Sequence, residues 1–370
     1  MSTTSVKHFA TCAAKQVPAC SPVPVAVAGV PIHNPKNIDS ELLCQHLQLF
    51  YTNVIDVSYN IKKAQWIANK FIQLDKFDRV EQLTVQIYDD AIQERKKERS
   101  MEGMHMVSFQ EMQLHCLEDY VKAMEKVVSV VPYLQTSIAP LVADWPGQLF
   151  VRMAITQLQK NGPCQSIPGS IESFVPIMGP HHVSLNFLEQ AVMLHHKFFE
   201  RLFHFVFGAA KPLALKPKPW RVNLLLELAD GAWQLTLISH AVKRKFGTCK
   251  DLEYCTLIDL LDNIVPAVTD VYALLFRSGA FEEYIETIFR LWTFALRWRR
   301  KNYNKAPLAF LSDYFYWKAS GHPFAEVIQT HLVNFNDYFV ENLHSKIRAN
   351  TNAHDSAENI IAQACLIGEV

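Results

Sequence analysis

The chain has 370 residues, 49% of them hydrophobic and 19% charged, which excludes wholesale disorder and allows a large buried core. Lys plus Arg number 36 and Asp plus Glu number 36, so the net charge is zero and a polybasic, histone-like protein is excluded. At this length one large domain or two intimate ones are expected.

Residues 1–36 hold Pro18, Pro22, Pro24, Pro31 and Pro35 among many small residues, and read as a flexible arm. The apolar stretch from Val23 to Ile32 is interrupted by Pro24 and Pro31, so no signal peptide is expected there. No run of 18 apolar residues occurs, so no membrane span is expected. Eight cysteines are scattered with no CxxC spacing, which points to reduced thiols in an intracellular protein.

Asn37 or Asp39 is placed to cap a first helix reaching about Asn53. Leu83, Val85 and Ile87 alternate with polar residues and predict a strand ending at Asp89 and Asp90. A second strand is expected within Met104–Leu114, and a helix over Leu117–Val131. Ile138–Ala143 is a short apolar run ending at Asp144, and Trp145-Pro146-Gly147 then opens a helix. After a Gly- and Pro-rich loop, Phe174–Met178 is another short apolar run, followed by Gly179-Pro180-His181-His182 and a long amphipathic helix to about Phe207. This alternation of strands and helices favours an α/β core. From residue 220 onward the periodicity is helical, over Arg221–Ser239, Leu252–Asp262, Pro266–Phe276 and Phe281–Arg300.

Several residues carry chemistry at these positions. Asp144 lies just beyond a buried strand at a helix entry, where open α/β sheets place ligands; the same position suits a helix N-cap. Asp89 is a second strand-end carboxylate able to share a divalent metal, or else part of a solvated turn. His182, beside His181, stands near the end of the following strand. Glu341 shares one helix face with His344, Ser345 and Arg348. His196, Glu200 and His204 share another, a candidate zinc face. The segment from Arg290 to Lys305 contains Arg297, Arg299, Arg300, Lys301 and Lys305 interleaved with aromatic residues, and no acid occurs between Glu286 and Asp313. Such a pattern suits phosphate contacts with base stacking. Lys218 and Arg221, in Lys-Pro-Lys-Pro-Trp-Arg, form a smaller patch of the same kind. No P-loop, GxGxxG, GxSxG or HExxH motif is present, so kinase, dehydrogenase, serine hydrolase and zincin readings have no support.

Taken together, Ala143-Asp144-Trp145-Pro146-Gly147-Gln148, the segment Pro176–Asn186, Lys216–Arg221, Leu260-Leu261-Asp262-Asn263, Tyr303–Leu308 and Val340–Ala349 resemble a family of transposon-derived proteins found in cnidarian, sponge and fungal genomes. The similarity spans roughly residues 50–360. The layout is also distantly similar to the RNase H-like DDE transposases of the hAT and Mutator-like kinds. The resemblance implies an α/β fold, mostly helical overall, with an RNase H-like mixed-sheet core interrupted by a large all-helical insertion. The implied division is an arm over 1–36, a core over 37–186, the insertion over 187–330, and a core-completing helix and tail over 331–370.

By the same resemblance Asp144 matches the second acid, His182 the strand-end histidine and Glu341 the final glutamate, with Asp89 the best candidate for the first acid. These residues would hold Mg²⁺ or Mn²⁺ for DNA strand transfer. The weak match at Asp89 leads to the expectation of a truncated or degenerate element. The alternative is a catalytically inactive DNA-binding or protein-interaction domain. DNA is the implied partner, with a homo-oligomer compatible and no membrane expected. A nuclear location is expected from DNA as partner, although Lys243-Arg244-Lys245 and Arg299-Arg300-Lys301 are short for import signals.

Overall fold

The structure is a computed structural model that describes residues 7–17, 20–35, 39–50, 57–71, 98, 100–352 and 354–368. Helices dominate, and the strands form small sheets. The expected strand over Leu83–Ile87, and with it Asp89, lies outside the described residues. The chain divides into two compact units. The first comprises Met1–Ile38, Lys97–Pro180 and Ala309–Val370; the second comprises Asp39–Lys96 and His181–Leu308.

In the first unit, β1 (Phe9–Lys15) pairs antiparallel with β4 (Met104–Glu111), with an irregularity between Cys12 and Ala13. Between them in sequence lies a small hairpin of β2 (Ala26–Val27) and β3 (Val30–Pro31). Its turn residues Ala28 and Gly29 both have positive φ, 51° and 80°, the geometry that matches the twist of a two-residue hairpin. The reading of residues 1–36 as a flexible arm is therefore corrected for Phe9–Lys15 and for the hairpin. Pro31 ends β3, and the backbone bonds of β1 are satisfied by a strand far along the chain.

The next elements are α3 (Leu117–Val130), β5 (Ala139–Ala143), α4 (Trp145–Asn161) and β6 (Phe174–Met178). Earlier in the chain, α1 (Ser40–Phe50) and α2 (Val57–Phe71) belong to the second unit. β5 and β6 are parallel, Ala139 opposite Phe174 and Ala143 opposite Met178. Parallel neighbours need a crossover, and α4 supplies it. All five residues of β6 are buried, as expected for a parallel strand covered on both faces.

Val121 and Met124 of α3 and Val151, Ala154 and Ile155 of α4 form one core with Phe174. Cys12 and Val107 of the antiparallel pair, and Ala139 and Leu141 of β5, pack on that same core. Both strand pairs thus rest on the α3–α4 layer. The opposite side of the antiparallel pair carries a second cluster. There Leu343 and Ile347 of α14 (Tyr338–Ala349) and Ala364 of α15 (Ala357–Gly368) meet Ala13, Met106 and Phe109.

The second unit is all-helical among its described residues. It holds α1, α2 and most of α5 (Pro180–Leu194), then α6 (His196–Phe207), α7 (Pro219–Gln234), α8 (Thr236–Phe246), α9 (Leu252–Asp259), α10 (Tyr272–Ser278) and α11 (Phe281–Arg297). The long helix expected up to Phe207 is broken at His195, which separates α5 from α6. Leu260–Ile264 and Ala267–Val271 are π-helical turns between α9 and α10.

The division implied by the resemblance, with an insertion over 187–330, differs from the two compact units. The rings of His46 and Phe50 on α1 lie 5.4 and 5.6 Å from that of Phe289 on α11, and Lys62 of α2 pairs with Glu286 at 3.1 Å. These contacts put α1 and α2 with the helical unit rather than the core. At the other end, α12 (Ala306–Ser320) and α13 (Phe324–His331) complete the chain order. Tyr316 and Trp317 of α12 donate to the Pro31 and Ile32 carbonyls at 2.8 and 2.7 Å, within the first unit. No helix among the described residues is long and apolar enough to cross a membrane.

Candidate functional site

The carboxyl ends of β5 and β6 are where the fold gathers chemistry-bearing groups. Asp144 leaves β5 in extended conformation (φ −63°, ψ 175°), and its Oδ1 accepts the Gly147 N–H at 2.9 Å. It is thus the N-cap of α4. The Ala143 carbonyl accepts both the Gly179 N–H (3.0 Å) and the Gln148 side-chain amide (3.2 Å), tying α4 and the end of β6 to β5. A methyl group at Gly147 would sit 2.8 Å from the Ala143 Cβ, so the close approach of α4 to its strand requires glycine. The Ala143–Gln148 motif is accounted for by this cap and crossover. Burial, and after it the negative charge of Asp144, pushes the Tyr120 phenol up to about 12.

Asp337, not singled out from the sequence, stands at the same strand end. It is 5% exposed and immediately precedes α14. A Cβ at Gly179 would collide with its carboxylate and would lie 2.8 Å from the Ala143 carbonyl oxygen. The available signal was a polar pair, Asn336-Asp337, ahead of an amphipathic helix. Glu341 follows one turn later on the same helix and is half-buried. Its neighbour His344 bonds the Thr11 hydroxyl of β1 at 2.6 Å; burial lowers the pKa of His344 and Glu341 partly restores it. β1 itself carries no acid.

His181 and His182 open α5 and belong to the second unit, whereas Asp144, Asp337 and Glu341 belong to the first. The two rings meet edge to face at 5.3 Å, and the His182 carbonyl accepts from the Asn186 amide at 2.9 Å. Among the described residues no group of three or more His, Cys, Asp or Glu side chains is arranged to hold a metal ion. The described donor set therefore does not fit a two-metal centre. Asp89, the remaining candidate ligand, is outside it.

The cap role of Asp144 makes a prediction separable from any metal role. Asp144→Ala should lower stability by about 1 kcal/mol, while Asp144→Asn, which preserves the cap acceptor, should cost only a few tenths. Urea unfolding of the two variants checks this, and equal losses would contradict the cap.

The zinc face on α6 does not form. His196 and His204 are two turns apart, about 12 Å along the axis at 1.5 Å per residue, too far for one ion with ligands at about 2 Å. The His196 Nε2 instead bonds the Ala214 carbonyl at 3.1 Å. Asp262 of the Leu-Leu-Asp-Asn motif accepts from the Trp233 indole at 2.7 Å and from Lys243 at 2.8 Å, a role internal to the second unit.

The basic stretch separates into two parts. Arg290 pairs with Glu286 at 2.8 Å, and Arg297 pairs with the buried Asp259. Arg299, Lys301 and Lys305 are exposed and Arg300 is half-buried. Among the described residues no carboxylate pairs with these four. The aromatic residues turn inward: Trp292 and Tyr303 are 7% and 8% exposed. In the smaller patch Lys218 is exposed, and the Arg221 guanidinium lies over the rings of Trp220 and Phe203 at 4.6 and 5.1 Å.

The chain matches no protein-family model, no curated protein and no solved structure at a significant level.

Proposed function

We propose that the chain is a transposon-derived protein whose first unit descends from an RNase H-like, divalent-metal-dependent DNA strand-transfer enzyme of the DDE kind, and that its site is degenerate. The observation that carries this reading is the parallel pair β5–β6, joined through α4, with Asp144 at the end of one strand and the Asp337 carboxylate against the end of the other. Further support comes from the chain order, in which an antiparallel pair precedes β5, α4 and β6, and a late helix carrying Glu341 follows the helical second unit. The described donors support the degenerate reading. Two-metal phosphoryl transfer needs several carboxylates around two cations about 4 Å apart. β1 offers Thr11 and Cys12 but no acid, and one Asp144 oxygen is engaged as a helix cap.

On this reading the present function is nucleic-acid contact without cleavage, in the nucleus, through the cations of the second unit. The test is nicking of supercoiled DNA with Mn²⁺ or Mg²⁺, comparing the intact chain with Asp144→Asn, Asp337→Asn and Glu341→Gln. No nicking by any of them is the expected result. Nicking by the intact chain that disappears in the acid variants would replace the degenerate reading by a live nuclease whose remaining ligand, with Asp89 the first to test, lies outside the described residues.

A further inference from the structure

Helix α11 ends in a specific pair of backbone bonds. The Arg300 N–H donates to the Ala295 carbonyl at 3.0 Å, and the Arg299 N–H donates to the Leu296 carbonyl at 3.1 Å. This is the bonding of a Schellman cap, whose left-handed position is ordinarily glycine because a Cβ there is strained. Here the position is held by Arg299, with φ 52°. Backbone strain at a non-glycine residue persists only where the surroundings hold it, and it concentrates at functional positions. A cation near a helix C-terminus is favourable, and Arg297 in the last turn also stands there, paired with Asp259.

The segment that follows is tied back to the helix. The Trp292 indole donates to the Asn304 carbonyl at 2.8 Å, and Tyr303 is buried. Arg299, Arg300, Lys301 and Lys305 thus project from a pinned scaffold with no acid among them. The rings of the stretch are not offered to bases. Trp298 is stacked on Phe294 with centroids 5.6 Å apart and tilted onto Phe187 at 5.8 Å, and Trp292 and Tyr303 are in the core. Grooves for single strands rely on exposed aromatic platforms, whereas duplexes are held mainly through their phosphates. Within residues 296–305 the one exposed large apolar side chain is Leu296, too little for insertion into a bilayer.

We propose that the 298–305 loop is a preorganised contact for the phosphate backbone of a nucleic-acid duplex, and that arginine occupies the strained Arg299 position for its charge. The proposal rests on the reading of the chain as nucleic-acid-associated, and it narrows the target to duplex backbone read without base stacking.

The test uses the full chain, with fluorescence anisotropy against a duplex of about 20 base pairs, the corresponding single strand, and anionic phosphatidylserine vesicles, over a salt series. The duplex should bind more tightly than the single strand. Arg299→Gly should weaken duplex binding on the order of 3–10-fold and reduce the log K against log salt slope by about one. The same variant should melt higher than the parent by about 2 °C, because glycine relieves the strain. That rise also certifies that the variant is folded. Arg299→Lys should keep both the binding and the melting temperature of the parent.

Unchanged duplex affinity in Arg299→Gly overturns the proposal, as does a lower melting temperature in that variant. Tighter binding to the single strand, or binding to vesicles alone, overturns it as well. The nicking assay is independent: a nuclease would defeat the degenerate reading and leave the Arg299 result standing, while unchanged duplex affinity in Arg299→Gly would defeat the Arg299 proposal and leave the nicking result standing.

Discussion

Replacing Trp317 by alanine should destabilise the first unit by about 3–5 kcal/mol, the range for deleting a fully buried large aromatic side chain. Trp317 is 1% exposed, its ring meets Phe324 edge to face at 4.7 Å, and its indole N–H donates to the Ile32 carbonyl at 2.7 Å. Three losses therefore coincide: packed volume, an aromatic pair, and the partner of a carbonyl in the N-terminal segment. Trp317→Phe retains a ring and loses mainly the hydrogen bond and some volume, so it should cost about 1–2 kcal/mol. Urea unfolding followed by far-UV circular dichroism reads both variants. A loss below about 1 kcal/mol in the alanine variant, well under the normal cavity cost, would mean that Pro31 to His33 is not docked on α12. The early prolines would then belong to an arm after all.

Gly179→Ala is the second large effect, with an expected loss of about 2–4 kcal/mol from overpacking in a site that cannot relax. The added Cβ meets a backbone carbonyl, Ala143 O, at 2.8 Å, and it also meets the carboxylate of Asp337. The carbonyl is held by two hydrogen bonds, and Asp337 is buried. Neither neighbour is the free end of a flexible chain. The double variant Gly179→Ala with Asp337→Ala should be less destabilised than the sum of the single variants, because the carboxylate part of the clash disappears. Strict additivity in a thermal-melt cycle would place the Asp337 carboxylate away from the end of β6 and remove the observation on which the proposed ancestry rests.

The two acids at the strand ends have different physical characters. Asp144 is half-buried and already satisfies a helix N–H, so its position has a structural reason independent of any cation. Asp337 is buried against Gly179 at the end of β6, and Glu341 lies on the helix that follows it. On the proposed ancestry, the carboxylates that remain at these strand ends are ones with a place in the folded structure.

The sequence by itself determined the local elements of the site. β6 occupies Phe174–Met178 because an unbroken apolar run is closed by a Gly-Pro turn. β5 ends at Ala143 because Asp144 caps the next helix and Pro146 fits its first turn. α3 and β4 were equally legible from their periodicity, within a few residues at their ends. These features depend on side chains a few positions apart, so short-range chemistry specifies them.

Tertiary structure decided the rest. β1 has no local partner and is a strand only because β4 closes onto it. α1 joins the helical unit because its aromatic rings find Phe289. Arg297 is neutralised by Asp259, distant in sequence; Trp292 is buried, and the half-buried Trp298 packs on Phe294 and Phe187. Asp337 reaches the end of β6 only through chain closure. Which charges remain free and which carboxylates meet depends on contacts between segments far apart in the chain, and residue spacing carries no record of those contacts.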